Sequence, residues 1–156
     1  MKSMRPGTII LVGMWLGGFS ACTSVLLNTP VSKNAEGWTV TLSQVKEGPN
    51  EYVGEVATVT PGPGKKLIWT ILTVKSELPE EENFSYDSCI LDAKNQALRP
   101  AVIDRNEGEV RTAADRAEPF HQGQERTRLL IYMFPKDEHP AHMRCGKIVL
   151  PIPARS

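Results

Sequence analysis

The amino-acid sequence predicts an all-β fold, built as an antiparallel sandwich or barrel. Three observations support this prediction. About six to eight short segments alternate between apolar and polar residues or are densely apolar, as β-strands are. Most of these segments are separated by proline, glycine or asparagine, which favour turns. Little of the chain shows the apolar spacing of a helix. We therefore expect antiparallel strands packed around one core.

The first predicted strand begins at Trp38. Apolar and polar residues alternate over 38–43, so that Trp38 and Val40 lie on one face and Thr39 lies on the other. The Gly-Pro-Asn segment at 48–50 breaks this strand, and residues 52–59 can form a second, weaker strand.

The strongest turn signal is the segment 61–66, whose sequence is Pro-Gly-Pro-Gly-Lys-Lys. The strand predicted after it, 67–74, has apolar residues at both odd and even positions, among them Trp69 and Leu72. A strand with one face in water would carry apolar residues on the other face only. We therefore expect 67–74 to be a central strand that is buried from both sides.

The next predicted strand is 84–91, with Asp92 starting a hairpin turn over 92–96 into the strand 97–103. Pro100 within that strand requires a sheet edge or a bulge, because proline has no N–H for the ladder. The charged segment 104–118 has no clean apolar stripe, and two interpretations stay open, a short helix or an ordered loop.

Residues 128–134 are densely apolar and predict a further strand, which Pro135 ends. A polar loop is expected over 136–143. The last predicted strand is 145–152, where apolar and polar side chains alternate again.

The N-terminal segment has the organisation of an export signal. Lys2 and Arg5 precede an apolar stretch, 7–19, which is too short for a membrane-spanning helix of about 20 apolar residues. The stretch ends in Phe19-Ser20-Ala21-Cys22, which resembles the lipobox of bacterial lipoproteins. A plain secretory signal is the alternative, although it favours a small residue where Phe19 stands.

This resemblance implies that residues 1–21 are a lipoprotein signal peptide and that Cys22 becomes the first residue, carrying diacylglycerol on its thiol and an acyl chain such as palmitate on its amine. We expect 22–36 to be the lipidated cysteine with a flexible tether, and 37–153 to be the folded domain. The expected membrane partner is thus reached through Cys22. Thr23 at the next position favours the outer membrane of a Gram-negative envelope, facing the periplasm; a Gram-positive surface stays open.

Charge excludes one class of partner. The chain has 18 basic and 18 acidic residues, and removal of 1–21 takes away two basic residues and no acidic ones, so that the net charge becomes −2. A nucleic-acid surface would show a clustered basic excess. We therefore expect no nucleic-acid partner.

With Cys22 assigned to the lipid, Cys89 and Cys145 remain as a pair. Unassigned cysteines of an exported protein usually form a disulfide. We expect one here, linking strands distant in sequence as the bridges between sheets do in immunoglobulin-type folds. Two buried free thiols are the alternative. Neither cysteine has a partner at metal-ligand spacing.

Four features taken in order resemble the immunoglobulin-like domain of unknown function that follows the lipobox in many small bacterial lipoproteins. They are Gly37-Trp38-Thr39-Val40, Gly64-Lys65-Lys66 before 67–74, the strand 84–92 with its aspartate-led turn, and 123–135 ending in Phe-Pro. The resemblance implies an immunoglobulin-like β-sandwich acting as an extracytoplasmic interaction or structural module, without catalytic residues or cofactor.

Several polar groups are candidate sites. His121, His139 and His142 could bind zinc, although solvated loops are the better interpretation. Calcium at 80–82 and a carboxylate pair of Asp87 and Asp92 are weaker still. The tryptophans Trp38 and Trp69 are expected in the core, with the alternative that one lines a ligand cleft. We expect no metal site and no enzyme activity.

The function predicted from the sequence is a lipid-anchored, non-enzymatic binding or structural module with a protein or cell-envelope partner. Two alternatives are a carrier of an apolar small molecule, like the lipid-anchored lipocalins, and a periplasmic inhibitor of a hydrolase. An enclosed apolar cavity inside one barrel would favour the carrier, whereas a packed core between two sheets would exclude it.

Overall fold

A computed structural model of the chain describes residues 23–54, 58–104 and 116–154. These residues form fourteen β-strands, and every paired strand is antiparallel to its neighbour. In chain order they are Ser24–Leu27 (β1), Val31–Ala35 (β2), Trp38–Glu47 (β3), Tyr52–Val53 (β4), Thr58–Val59 (β5), Lys65–Ser76 (β6), Glu82–Ser85 (β7), Cys89–Asp92 (β8), Ala97–Leu98 (β9), Val102–Asp104 (β10), Ala117–Phe120 (β11), Glu125–Pro135 (β12), His142–Cys145 (β13) and Ile148–Pro151 (β14). Across the described ranges, no helix is long and apolar enough to cross a membrane.

The first layer is a six-stranded sheet in the order β1-β3-β6-β12-β10, with β2 also paired to β3. Its centre is β6, which pairs along its length with β3 on one side and β12 on the other. The predicted central strand 67–74 is therefore confirmed. One cross-strand row, for example, places Thr73 between Thr41 and Thr127.

The second layer contains a four-stranded sheet, β14-β13-β8-β9, and the pair β11-β7. Apolar side chains of the two layers meet in one buried cluster. The first layer contributes Val40, Leu42, Leu72, Val74, Leu130 and Tyr132, and the second contributes Phe84, Leu91, Phe120, Met143 and Leu150. The structure thus confirms the all-β, antiparallel sandwich. The kinship to immunoglobulin-like lipoprotein domains stays a prediction.

A second, smaller cluster explains why β6 is apolar on both faces. On the outer side of the first layer, the hairpin β4-β5 covers Leu67 and Ile131 and buries Tyr52 against them. The Tyr52 hydroxyl donates to Asp104 Oδ2 at 2.5 Å, and the Trp69 indole N–H donates to the Pro49 carbonyl at 2.8 Å. The weak strand predicted over 52–59 is this short hairpin.

The tether expected over 22–36 is corrected by the structure, because β1 and β2 both pair with β3. The hairpin from β2 to β3 turns at Glu36 and Gly37, whose φ angles of 54° and 80° match a tight two-residue turn. A side chain at position 37 would also overlap Leu78. β2 could not be predicted from the sequence because its residues are mostly polar and exposed, as the residues of an edge strand can be. The folded domain begins at Ser24 rather than at 37.

Two further expectations differ in detail. The predicted strand 84–91 is interrupted by a 3-10 turn at Tyr86–Ser88, which separates β7 from β8. The predicted last strand, 145–152, is instead a hairpin of β13 and β14 around Gly146, whose φ is 60°. A left-handed glycine allows this reversal, and β13 takes in part of the expected loop 136–143.

The turn 92–96 is confirmed, since Ala93 N donates to Gln96 O at 2.9 Å and β8 pairs with β9. Pro100 lies in neither ladder. It stands between β9 and β10, where the chain passes from the second layer to the first. The question of a helix or a loop in 104–118 falls largely on residues 105–115, which lie outside the described residues, as do Cys22 and the signal segment 1–21.

The structure confirms the disulfide between Cys89 and Cys145. The two cysteines are direct partners on β8 and β13, with their Cα atoms 4.0 Å apart. Both strands belong to the second layer, so the bridge fastens two neighbours in one sheet rather than joining the two layers. The comparison with inter-sheet bridges is therefore wrong for this pair.

Replacing both bridge cysteines, Cys89→Ala with Cys145→Ala, should lower the free energy of unfolding by about 4 kcal/mol, because the bridge no longer restricts the unfolded chain. Equilibrium unfolding in urea measures this difference. Wild-type protein unfolded with a reductant should approach the double variant. Equal unfolding midpoints for the oxidised wild type and the double variant would contradict a stabilising bridge.

Candidate functional site

An open cleft of about 400 Å³ lies where the β8-β9 turn approaches the loop between β12 and β13. Its polar lining consists of Asp92, Lys94, Asp137, Glu138, His139 and His142. The cleft forms because the Glu138 carboxylate crosses to the turn and accepts a hydrogen bond from Lys94 N at 2.6 Å. It collects several of the polar groups that the sequence singled out.

Asp92 contacts two side chains of β13 in this cleft. It ends β8 beside β13, and Arg144 of β13 donates to both of its oxygens, from Nε at 2.5 Å and from Nη2 at 2.7 Å. His142 Nε2 lies 2.7 Å from Oδ2. The hydrogen bonds from Arg144 hold the pKa of Asp92 below its usual range, since they favour the charged carboxylate. A carboxylate bound in this way is a poor proton acceptor.

The three histidines are not brought together. His139 and His142 line the cleft beside Asp92, whereas His121 lies in the turn after β11 and faces Glu81, with Nε2 3.2 Å from Oε2. Over the described ranges, no group of three or more His, Cys, Asp or Glu side chains could hold a metal ion. The acidic run at 80–82, considered as a calcium site, is divided between a loop and a strand, because Glu82 belongs to β7.

Asp87 also has an arginine partner of its own. Arg116 donates from Nε to Asp87 Oδ1 at 2.6 Å, and its Nη2 donates to the Pro100 carbonyl. The carboxylates of Asp87 and Asp92 are thus each engaged by a different guanidinium, and they do not form the acid–base pair that the sequence analysis considered.

A smaller cleft of about 170 Å³ opens between the β2-β3 turn and the β13-β14 turn. We call it the Trp38 cleft; Trp38, Phe84, Ser88 and the ion pair of Lys147 with Glu36 belong to its wall. The Trp38 ring packs edge-to-face on Phe84, with ring centroids 5.1 Å apart. Trp38 therefore serves both as core and as cleft wall, which combines the two interpretations considered for it.

Trp69 belongs to the smaller cluster on the outer side of the first layer and is likewise partly buried. Its ring lies 5.8 Å from that of Tyr52 under the β4-β5 hairpin, and Lys46 Nζ lies 5.4 Å from its centroid. Of the two tryptophans considered as cleft residues, Trp38 is the one that lines a described cleft.

A buried cluster of charges was missed by sequence reasoning. Glu118 of β11 points between the layers and is 2% exposed. Arg128 donates to both of its oxygens, from Nε to Oε2 at 3.1 Å and from Nη2 to Oε1 at 3.0 Å, and the Tyr86 hydroxyl donates to Oε2 at 3.0 Å. Arg126 Nη1 lies 3.5 Å from Oε2.

The cluster joins three elements of both layers, β11, β12 and the 3-10 turn after β7. Burial and then the negative charge of Glu118 raise the pKa of Tyr86, so that its hydroxyl stays protonated and donates. In β11, Glu118 and Phe120 are buried and alternate with the exposed residues Ala117 and Pro119. Charged residues seldom occupy interior positions, so the charged segment gives no sequence signal of this cluster.

Comparisons with protein-family models and with curated protein sequences give no match. Two solved structures are similar in fold. A functionally unknown protein from Listeria monocytogenes EGD-e is 13% identical, with a TM-score of 0.55 over 87% of this chain and 90% of that chain. A conserved hypothetical protein from Bacillus anthracis is 11% identical, with a TM-score of 0.49 over 84% and 97% of the two chains. The first likeness shows a shared fold alone, and the second supports no argument.

Replacing Glu118 by alanine should lower the free energy of unfolding by about 3–5 kcal/mol, because Arg128 would remain buried without its partner. The matched control is Glu125→Ala on the exposed side of β12, where a change within about 0.5 kcal/mol is expected. Urea unfolding of both variants makes the comparison. Equal effects at the two positions would mean that the buried cluster contributes no special stability.

The pKa of Asp92 predicts a dependence on pH. Because this pKa is lower in the folded chain, the ionised carboxylate stabilises the fold above the ordinary aspartate value, and the stabilisation is lost as pH falls through the lowered pKa. Asp92→Asn should therefore be less stable than wild type at pH 7, with the gap shrinking toward about pH 2. Unfolding curves at both pH values test this. If the difference in stability between wild type and Asp92→Asn were the same at both pH values, the charge of Asp92 would not be its cause.

Proposed function

We propose that this protein is a lipid-anchored, extracytoplasmic module of a bacterial cell envelope that binds a partner or serves a structural role without catalysis. The single observation that carries the proposal is Cys22, which closes an apolar segment in the sequence Phe19-Ser20-Ala21-Cys22. Cys22 lies outside the described residues, so the proposal rests on the sequence there. With Thr23 following it, the outer membrane facing the periplasm is the proposed location.

The disulfide supports export. Cysteine bridges persist in oxidising compartments and are rare where cellular thiols keep them reduced. Cys89 and Cys145 are paired in the middle of the second layer, where both are buried. A bridge in that position supports folding of the domain outside the cytoplasm.

The state of the acidic side chains supports a role without catalysis. Asp87, Asp92 and Glu118 each accept hydrogen bonds from an arginine side chain. A general base needs a proton affinity near the working pH, and the hydrogen bonds from Arg144 lower the pKa of Asp92. All three carboxylates are engaged within the fold by arginine side chains.

The carrier alternative lacks support from the described strands. They form open sheets in two layers, and the space between the layers is filled by apolar side chains such as Leu72, Tyr132 and Met143. A carrier of an apolar molecule needs an enclosed cavity, whereas the two clefts described above are open to solvent. No observation favours the inhibitor alternative in particular.

A partner is best accommodated at the Trp38 cleft. An aromatic ring that is half-buried beside charged groups is the type of residue that dominates protein interfaces. The rim of the cleft supplies one charge of each sign through Lys147 and Glu36. The proposed partner is accordingly a protein or another envelope component, reached from this end of the sandwich.

Bacteria expressing the full chain and fed labelled palmitate should incorporate label into the wild-type protein and none into Cys22→Ser, because the thiol of Cys22 is the proposed attachment point. The matched control is Cys89→Ala with Cys145→Ala, which should keep its label. Gel fluorography of the immunoprecipitated proteins gives the answer. An unlabelled wild type, or label that persists in Cys22→Ser, would refute the proposal.

A further inference from the structure

The first strand begins very close to the proposed attachment point. β1 starts at Ser24, two residues after Cys22 in the sequence. An extended chain advances at most about 3.5 Å per residue, so the Cα atoms of these two residues are at most about 7 Å apart. Lipid chains on Cys22 would thus hold the sheet at the membrane, because the linker between Cys22 and β1 is very short.

Other parts of the sheet extend beyond Ser24 in the same direction. Ser24 lies opposite Glu47 of β3, and Glu47 lies opposite Ile68 of β6. β6 begins three residues before Ile68, at Lys65, which places its first residue about 10 Å beyond the level of Ser24. This is farther than the link to Cys22 can reach.

The neighbouring turns share this position. Lys65 is paired with Pro135, the last residue of β12, and Lys136 N donates to the Gly64 carbonyl at 2.9 Å. We call this region, residues 23–25, 61–66 and 135–136, the anchor end. A bilayer attached through Cys22 would have to meet it, because the turns extend as far as the attachment point.

The side chains of the anchor end are compatible with lipid headgroups. Lys136 is exposed, Lys65 is partly exposed, and Lys66 is buried and neutralised by Glu47, with Nζ 3.2 Å from Oε2. Val25 is 53% exposed. Among the residues that the structure describes, Lys65 and Lys136 have no ion-pair partner, and such lysines suit the phosphates of headgroups. An exposed valine suits the boundary below the phosphates.

From this geometry we infer that the anchor end lies directly on the headgroups of the membrane that holds Cys22. The inference rests on the proposed lipidation of Cys22. β6 has 12 residues, so its far end at Ser76, with the turn 121–124 hydrogen-bonded to it, is held about 35 Å above the anchor end. The Trp38 cleft belongs to that far end, because Trp38 pairs with Ser76.

The experiment measures depth with two matched labels. A fluorophore is placed through Lys136→Cys at the anchor end or through Gln122→Cys at the far end, both exposed turn positions. The lipidated proteins are purified from bacteria and reconstituted into vesicles of phosphatidylethanolamine and phosphatidylglycerol, in which some headgroups carry a nitroxide quencher. Strong quenching is expected at position 136 and none at 122.

A third protein tests whether the short linker between Cys22 and β1 is what holds the anchor end at the membrane. Inserting about 12 glycine and serine residues between Thr23 and Ser24 adds a coil of roughly 20 Å, and quenching at 136 should be lost. Palmitate labelling and flotation with the vesicles are measured on each sample. Lipidated, floating protein with equal quenching at both positions, or with quenching that survives the insertion, would overturn the inference and leave the proposed function standing. Protein without palmitate would overturn both.

Discussion

The burial of β6 on both of its faces is the constraint on which the rest of the structure depends. Its inner side chains, Ile68, Leu72 and Val74, belong to the core between the layers, while Leu67 lies under the β4-β5 hairpin on the outer side. Hydrogen bonds along both edges satisfy the backbone groups of β6, and packing on both faces leaves its outer apolar side chains Trp69 and Ile71 only partly exposed. β3 and β12 take their register from it, and through them so do the edge strands β1, β2 and β10.

The two layers are then matched by polar contacts as well as by apolar area. The Glu118 carboxylate binds Arg128 of the facing sheet, and the Tyr132 hydroxyl donates to the Cys89 carbonyl at 2.8 Å. Buried ionic and hydroxyl contacts are satisfied in few geometries, so they discriminate between ways of stacking two sheets. The disulfide acts within the second layer, and these contacts act between layers.

The strand pattern of the sequence was sufficient to predict the fold class and the central strand, because both depend on local alternation of apolar and polar residues. The cysteine pair was predicted from the expected export of the protein to an oxidising compartment. Prediction failed where tertiary context decided. Val31–Ala35 is too polar for its sequence to predict a strand. It forms one because it pairs with the edge of β3. The 3-10 turn at Tyr86–Ser88 follows from packing. The buried position of Glu118 could not be predicted, since no local pattern reveals that Arg128 lies opposite across the core.

The turn at Glu36 and Gly37 affects the residue that follows it. Leu78 fills the space beside Gly37, and the Trp38 ring is held at the same time by Phe84 and Phe120, with a centroid distance of 5.5 Å to the latter. The indole therefore has its orientation fixed before anything binds. Binding against this ring carries no entropic cost for ordering it. The specificity of binding at this surface therefore depends on the shape of the ligand rather than on a rearrangement of the protein.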